Sequence, residues 1–285
     1  MLRAINDMVF KFIFGDESRK ELLRELINLV LERVGLPLAS TLTINNPFDI
    51  RRFAMDKEPV LDIKATDGSG MIFDVEIQVR EEGNYAERAI YYWSRVYGSQ
   101  LPKGFGYEDL HPVIGIHLLD FSMHEDYPRF IRVFRFVDVH DQSMVTPYVL
   151  TEKATLITVE LPQADRGVGC GRLEKLLSLL ESEGGDQAMT DSLVEQEEFL
   201  AKVDEAYRMF NANPELMDIY EGRHKARVTQ TLAMNAARRK GRDEGKVEGK
   251  VEGKIETARI MKGQGLAPEL IATCTGLSLE EISKA

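Results

Sequence analysis

The segment Phe73-Asp74-Val75-Glu76-Ile77-Gln78-Val79 constrains the fold more than any other in the chain. Its unbroken apolar–polar alternation marks a half-buried strand. A period of two sends Asp74, Glu76 and Gln78 to one face and Phe73, Val75, Ile77 and Val79 to the other. Upstream, Leu61-Asp62-Ile63-Lys64 alternates in the same way, with Asp62 and Lys64 on a common face. Between them lies Thr66-Asp67-Gly68-Ser69-Gly70, dense in turn formers. The expected local structure is an antiparallel hairpin presenting Asp62 opposite Glu76 and Gln78. Convergent carboxylates on neighbouring strands suit a hard divalent cation, which takes oxygen ligands. The polar face of an antiparallel hairpin normally meets water, so Asp74 reads as a solvated strand charge.

Around the hairpin the pattern is mixed. Asp16 or Ser18 caps a helix running to about Val34, with Leu22, Leu23, Leu26, Ile27 and Val30 on its apolar face. Gly35 and Pro37 end it. Leu42 to Phe53 reads as strand or extended loop. Tyr85 to Leu101 reads as a helix on which Arg88, Tyr92 and Arg95 share a face, with Tyr91, Trp93 and Tyr97 expected in the core. Pro112–Phe121, Phe130–His140 and Leu156–Leu161 carry strand character. Helix, strands, helix and returning strands imply an α/β core. Residues 172–222 read as helical throughout, broken near Gly184-Gly185 and at Pro214.

A chain of 285 residues allows one or two domains. Its net charge of −11 gives no global attraction to a polyanion, but the distribution is uneven. Residues 166–222 hold 13 acidic against 5 basic side chains, and residues 223–254 hold 10 basic against 4 acidic. Local patches can therefore still meet phosphates. Cys170 and Cys274 are far apart and lack metal-ligand spacing, which points to a reduced, cytoplasmic setting. No stretch is apolar enough to cross a bilayer. With no HExxH, Walker loop, GxSxG elbow or dinucleotide fingerprint, zinc, nucleotide and serine-hydrolase chemistries have no support.

Gly245-Lys246-Val247-Glu248 repeats at once as Gly249-Lys250-Val251-Glu252 and then as Gly253-Lys254-Ile255-Glu256. The pattern fits a helix and equally alternates as a strand. Each Gly costs a helix about 1 kcal/mol, and spacing of four sets like charges over one another. An extended helix or flexible connector mediating self-association is the favoured reading over a DNA-binding arm. Arg238-Arg239-Lys240 with Arg242 is either a phosphate contact or, more simply, a solvated helix face. Ala258–Ile282 reads as two short helices, with Ser278 and Glu281 forming a capping box. The second is too short for a recognition helix, so a packing hairpin is expected.

The Asp62, Glu76 and Gln78 constellation resembles the D…(D/E)xK signature of restriction-endonuclease-like phosphodiesterases. More narrowly it is similar to the PD-(D/E)XK nuclease family transposases, or recombination-promoting nucleases, in which glutamine typically replaces the final lysine. Further blocks are similar to that family in the same order. They are Asn6-Asp7-Met8-Val9-Phe10-Lys11-Phe12-Ile13-Phe14-Gly15, Glu87 to Tyr97, Leu101-Pro102-Lys103-Gly104 with Tyr107, and Pro112 to Ile116. The resemblance covers roughly residues 1–165 and implies a restriction-endonuclease-like αβββαβ core with a helical C-terminal extension. Four segments are then expected: a nuclease-like domain at 1–165, an acidic helical extension at 166–222, a basic and repeat-bearing connector at 223–256, and a helical hairpin at 257–285. The implied activity is Mg²⁺- or Mn²⁺-dependent DNA endonuclease action with little sequence preference, linked to recombination or transposition. Asp62 and Glu76 would ligate the metal with the Ile77 carbonyl, while Asp7 is either a third ligand or a helix N-cap. Gln78 would orient water or phosphate, with Lys64 restoring charge. Lys11, Arg88 and Arg95 are the phosphate-binding candidates. The implied partner is DNA, with homo-oligomerisation through the C-terminal helices. The rival reading is a catalytically weak or inactive nuclease-like interaction protein that self-associates through its C-terminus. Net acidity and the missing lysine favour the rival; the joint presence of Asp62, Glu76 and Gln78 favours the enzyme.

Overall fold

The computed structural model describes residues 2–49, 62–81, 83–101, 104, 106–140, 148–164, 171–182 and 187–285. Leu61, residues 50–53, Pro102, Lys103, Cys170, Gly184 and Gly185, on which some expectations rest, lie outside them. The chain divides into two compact units, Met1–Ile219 and Tyr220–Ala285.

The first unit begins with helices α1 (Asp7–Phe14) and α2 (Lys20–Arg33). Asn6 caps α1 by accepting from the Met8 N–H, and Asp16 caps the 3₁₀ turn that leads into α2. Gly35, at φ 71°, ends α2 in the left-handed region. Strands β1 (Thr43–Ile44), β2 (Ile63–Thr66) and β3 (Ile72–Gln78) follow, then α3 (Tyr85–Gly98), β4 (Val113–Leu119), β5 (Ile131–Phe134) and β6 (Ala154–Glu160). They form one six-stranded sheet in the order β1-β2-β3-β4-β6-β5. This mixed sheet with helices is the expected α/β, restriction-endonuclease-like architecture, with α2-β1-β2-β3-α3-β4 as its αβββαβ core.

The hairpin forms as its turn residues dictate. Asp67 Oδ1 accepts from the Ser69 and Met71 N–H groups at 2.8 and 3.0 Å, and Gly70 adopts φ 87°. A Cβ at Gly70 would run into the His111 ring. The pairing Ile63↔Val75 and Lys64↔Asp74 sets Asp62 beside Glu76 one step further on. The polar face of the hairpin is not open to water as the alternation suggested, however. β3 runs parallel to β4 over its whole length, and β4 is parallel to β6. Parallel strands are covered on both faces. Phe73, Val75, Ile116, Leu118, Ile157 and Val159 are fully buried on one face. On the other, α3 lies over the polar residues.

Helices α4 (Arg172–Glu181), α5 (Gln187–Gln196) and α6 (Glu198–Asn211) complete the first unit. Leu173, Leu176, Leu177 and Leu180 are buried as their helical spacing requires. α6 packs against α1 and α2. It also binds the N-terminal segment, with Tyr207 Oη donating to Leu2 O at 2.7 Å and Asn211 Oδ1 accepting from the Leu2 N–H at 3.0 Å.

A 50-residue helix, α7 (Pro214–Gly263), carries the chain into the second unit. The repeats are therefore helical, and every residue from 224 to 254 is exposed. Its last turns pack with α8 (Pro268–Thr275) and α9 (Leu279–Lys284) around Ala258, Ile271, Leu277 and Ile282. The Ser278–Glu281 capping box forms as expected. Among the described residues no helix is long and apolar enough to cross a membrane.

Candidate metal centre

Two neighbouring strands deliver the acidic residues to one place. Asp62 lies at the entrance to β2, while Asp74 and Glu76 project from the α3-covered face of β3. Asp62 is held through its backbone: its carbonyl accepts from Lys11 Nζ at 3.0 Å and from Asn46 Nδ2 at 3.0 Å. Asn46 Oδ1 in turn accepts from the Lys64 N–H at 2.7 Å. Lys64 Nζ pairs with Asp62 Oδ2 at 3.1 Å. Glu76 Oε2 accepts from Gln78 Nε2 at 3.0 Å, and Gln78 Oε1 accepts from Arg88 Nη2 at 2.6 Å. A continuous line of hydrogen bonds thus runs from α3 through Gln78 to Glu76.

Asp74 differs from expectation. It is 2% exposed rather than solvated, because β4 and α3 close the face that a free hairpin would leave open. Burial first, then the charges of Asp62 and Glu76, push its carboxyl up to about 8, and it is hydrogen-bonded to Asp62. Its Oδ1 has no hydrogen-bond partner. Burial and the Asp62 charge also hold Glu76 above the usual carboxylate range, with the Gln78 hydrogen bond acting the other way.

These features fit a hard divalent cation. Crowded carboxylates short of positive charge, with one buried oxygen unsatisfied, present the donor set that Mg²⁺ or Mn²⁺ prefers. Among the described residues no group of three or more His, Cys, Asp or Glu side chains is arranged to hold a metal ion by itself. Mg²⁺ does not need one, since it usually keeps several waters and takes one or two carboxylates.

The other expected residues are placed as follows. Lys11 is buried at 5% exposure against the Asp62 backbone, where it positions the acid rather than facing solvent. Asp7 is the first residue of α1, with Asn6 as the cap, so the N-cap alternative for Asp7 does not hold. It lies one turn before Lys11 and joins no three-carboxylate group. The Ile77 side chain is in the core. Arg95 is exposed and lies over the Tyr91 ring at 5.9 Å. Tyr91 is 56% exposed, which corrects its expected place in the core. It sits on the outward side of α3, away from the buried stripe of Tyr85, Ala89 and Val96.

Two residues next to the cluster were not singled out from the sequence. His117 pairs in register with Glu76 and is 2% exposed. Its Nδ1 is 2.8 Å from Tyr85 Oη. Burial, and secondarily the Arg88 charge, lowers its pKa to about 4, so the imidazole is neutral. Burial raises the Tyr85 phenol. The signal was present: a single His inside the otherwise apolar run Val113–Leu119 needs a buried partner.

The family model described as PD-(D/E)XK nuclease family transposase matches residues 4–237, well over half of the chain. Neither the curated proteins nor the solved structures contain a match.

Proposed function

We propose that this chain, which belongs to the PD-(D/E)XK nuclease family transposases, is a metal-dependent DNA endonuclease with little sequence preference, linked to recombination or transposition. The observation that carries the reading is the coincidence of family and geometry. Asp62 and Glu76, two residues of the family-like signature, both act on the buried Asp74 carboxyl, whose Oδ1 has no hydrogen-bond partner, and this supports the reading.

Asp62 and Glu76 hold the cation, with the Ile77 carbonyl as a further oxygen donor. Bound Mg²⁺ or Mn²⁺ supplies Lewis acidity toward water and phosphodiester. Lys11 and Asn46 fix the Asp62 backbone, so its carboxylate is aimed before the metal arrives. Gln78 has no charge and accepts no proton usefully; it orients an oxygen beside Glu76 and is itself oriented by Arg88. Arg88 and Arg95 meet the DNA phosphates, while Lys64 partly offsets the charge on Asp62. The site needs no global positive charge, because contacts close to the metal carry the phosphate attraction.

We assign the connector at 223–256 to self-association. Val247 and Val251 are 64% and 46% exposed within repeats that also bear three Gly, each costing about 1 kcal/mol. Packing against a second copy would restore that loss. Light scattering of the intact protein tests this: a monomer at all concentrations contradicts it.

The test of the enzyme is nicking of supercoiled plasmid with Mg²⁺, Mn²⁺ or EDTA, beside Asp62→Ala and Glu76→Ala. Metal-dependent nicking lost in both variants is expected. Folded protein that binds metal but never nicks would favour the non-catalytic interaction protein.

A further inference from the structure

A cavity of about 330 Å³ opens between α3 and β5. Its walls include Ala86, Trp93, Phe134, Phe136 and Leu156, and they are almost wholly apolar. Leu156 pairs in register with Gly115, and Gly115 with Asp74. The cavity therefore lies on the same sheet face as the acidic cluster, two strands away. That is about 10 Å, or about three steps of a stacked strand at about 3.4 Å each. A Cβ at Gly115 would stand in ordinary contact with Trp93 Cδ1 at 3.6 Å and crowd Leu156 Cδ1 at 2.8 Å, so the indole lies directly over the sheet here.

The indole is held rigidly. Trp93 Nε1 donates to Val113 O at 3.2 Å, and Tyr97 stacks on the ring at 5.2 Å and 14°. Phe136 stands across from it, with centroids 6.5 Å apart. Phe134 and Phe136 are 42% and 54% exposed, although a folding core gains nothing from aromatics left in water. Among the lining residues Arg135 is the cation; its Nε is without a hydrogen-bond partner. The volume is too small for one helical turn, which at about 10 Å across and 5.4 Å long occupies about 400 Å³. It is ample for a flat heteroaromatic ring.

We propose that this cavity receives one unpaired nucleobase of the strand being cut, so that the substrate class is single-stranded or locally melted nucleic acid rather than intact duplex. The inference rests on the nuclease reading above. A base held in a Watson–Crick stack cannot enter a pocket beside the sheet, whereas a free one gains a rigid aromatic platform that serves any sequence. Ala86, Ile90 and Trp93 flank one side of the buried stripe of α3, and Arg88 and Arg95 flank the other. One helix thus offers a base site and phosphate contacts to the same strand.

Trp93 is the chain's single tryptophan, so its fluorescence reports on the cavity directly. The intact protein in EDTA is titrated with an eight-nucleotide thymidine strand and with a blunt duplex of equal phosphate content. The single strand is expected to quench Trp93 and the duplex to do so weakly. Phe136→Ala, which removes a wall, and Ala86→Phe, which fills the space from an exposed position, should each weaken single-strand binding about tenfold. Equal quenching by both nucleic acids, or variants that bind like wild type, would overturn the proposal. So would a change in fluorescence with protein concentration alone, since a second copy would then cover the cavity. Plasmid nicking by the wild type is scored in parallel. Metal-dependent nicking without single-strand preference sinks only this inference. Preference without nicking sinks the nuclease reading and leaves the cavity a nucleobase site.

Discussion

Replacing Gln78 with lysine puts a cation where the broader signature has one, and in this chain it should do harm. Gln78 Oε1 accepts from Arg88 at 2.6 Å and Gln78 Nε2 donates to Glu76 at 3.0 Å. An ammonium there keeps the second contact and reverses the first. At about 4 Å and an effective dielectric of about 20, two unit charges interact by about 4 kcal/mol. Repulsion from Arg88 and attraction to Glu76 then roughly cancel. What remains is the loss of the Arg88–Gln78 hydrogen bond, about 1.5–3 kcal/mol for a hydrogen bond to a charged group. Gln78→Lys should therefore lower stability by about that amount. Arg88→Met in the Gln78→Lys background should restore it by relieving the repulsion. Urea unfolding of both single variants and the double, in EDTA, closes the cycle, and a coupling of at least about 2 kcal/mol between the two positions is expected. A Gln78→Lys variant as stable as wild type, with coupling below about 0.5 kcal/mol, would refute the claim that Arg88 dictates the side chain at 78.

Other outcomes follow from the same geometry. His117 is lowered to about 4 by burial and secondarily by the Arg88 charge, with the Asp62 charge acting the other way. Between that value and about 6.5 the unfolded chain binds the proton and the folded one does not, so stability is lost as pH falls through this window. The loss is about 3 kcal/mol. His117→Gln should flatten the slope of urea-measured stability between pH 6.5 and 4, and an unchanged slope would place the proton elsewhere. Lys11→Met keeps the buried stem and removes the ammonium that holds the Asp62 carbonyl. A cost of about 1.5–3 kcal/mol in urea, with weaker Mg²⁺ dependence of nicking, is expected; wild-type behaviour in both assays would deny Lys11 its positioning role.

Much of this architecture was legible from local chemistry. The alternation at Phe73–Val79, the turn formers at Asp67–Gly70 and the capping box at Ser278 each determine a structure within a few residues, and each formed. The exposure of Asp74 was misjudged because alternation reports which residues share a face, not what covers it. The parallel partner β4 lies some forty residues on, and nothing in the hairpin announces it. The same blindness hid the Glu76–His117 register and the cavity beside Trp93, both products of α3 crossing the sheet. Tyr91 was expected inside because aromatics usually are, yet its place on the helix circumference sets it opposite the Ala89 stripe. For the repeats, spacing alone suited helix and strand equally, and the structure makes them helix.

Asp62 and Glu76 are proposed to hold one hard divalent cation. Mn²⁺ binding to wild type and to Glu76→Ala, followed by the paramagnetic resonance of free Mn²⁺, tests it most directly. One site per chain in the wild type, lost in Glu76→Ala while the variant remains folded, is the expected result. Equal binding by both proteins would contradict it and place the metal away from β3.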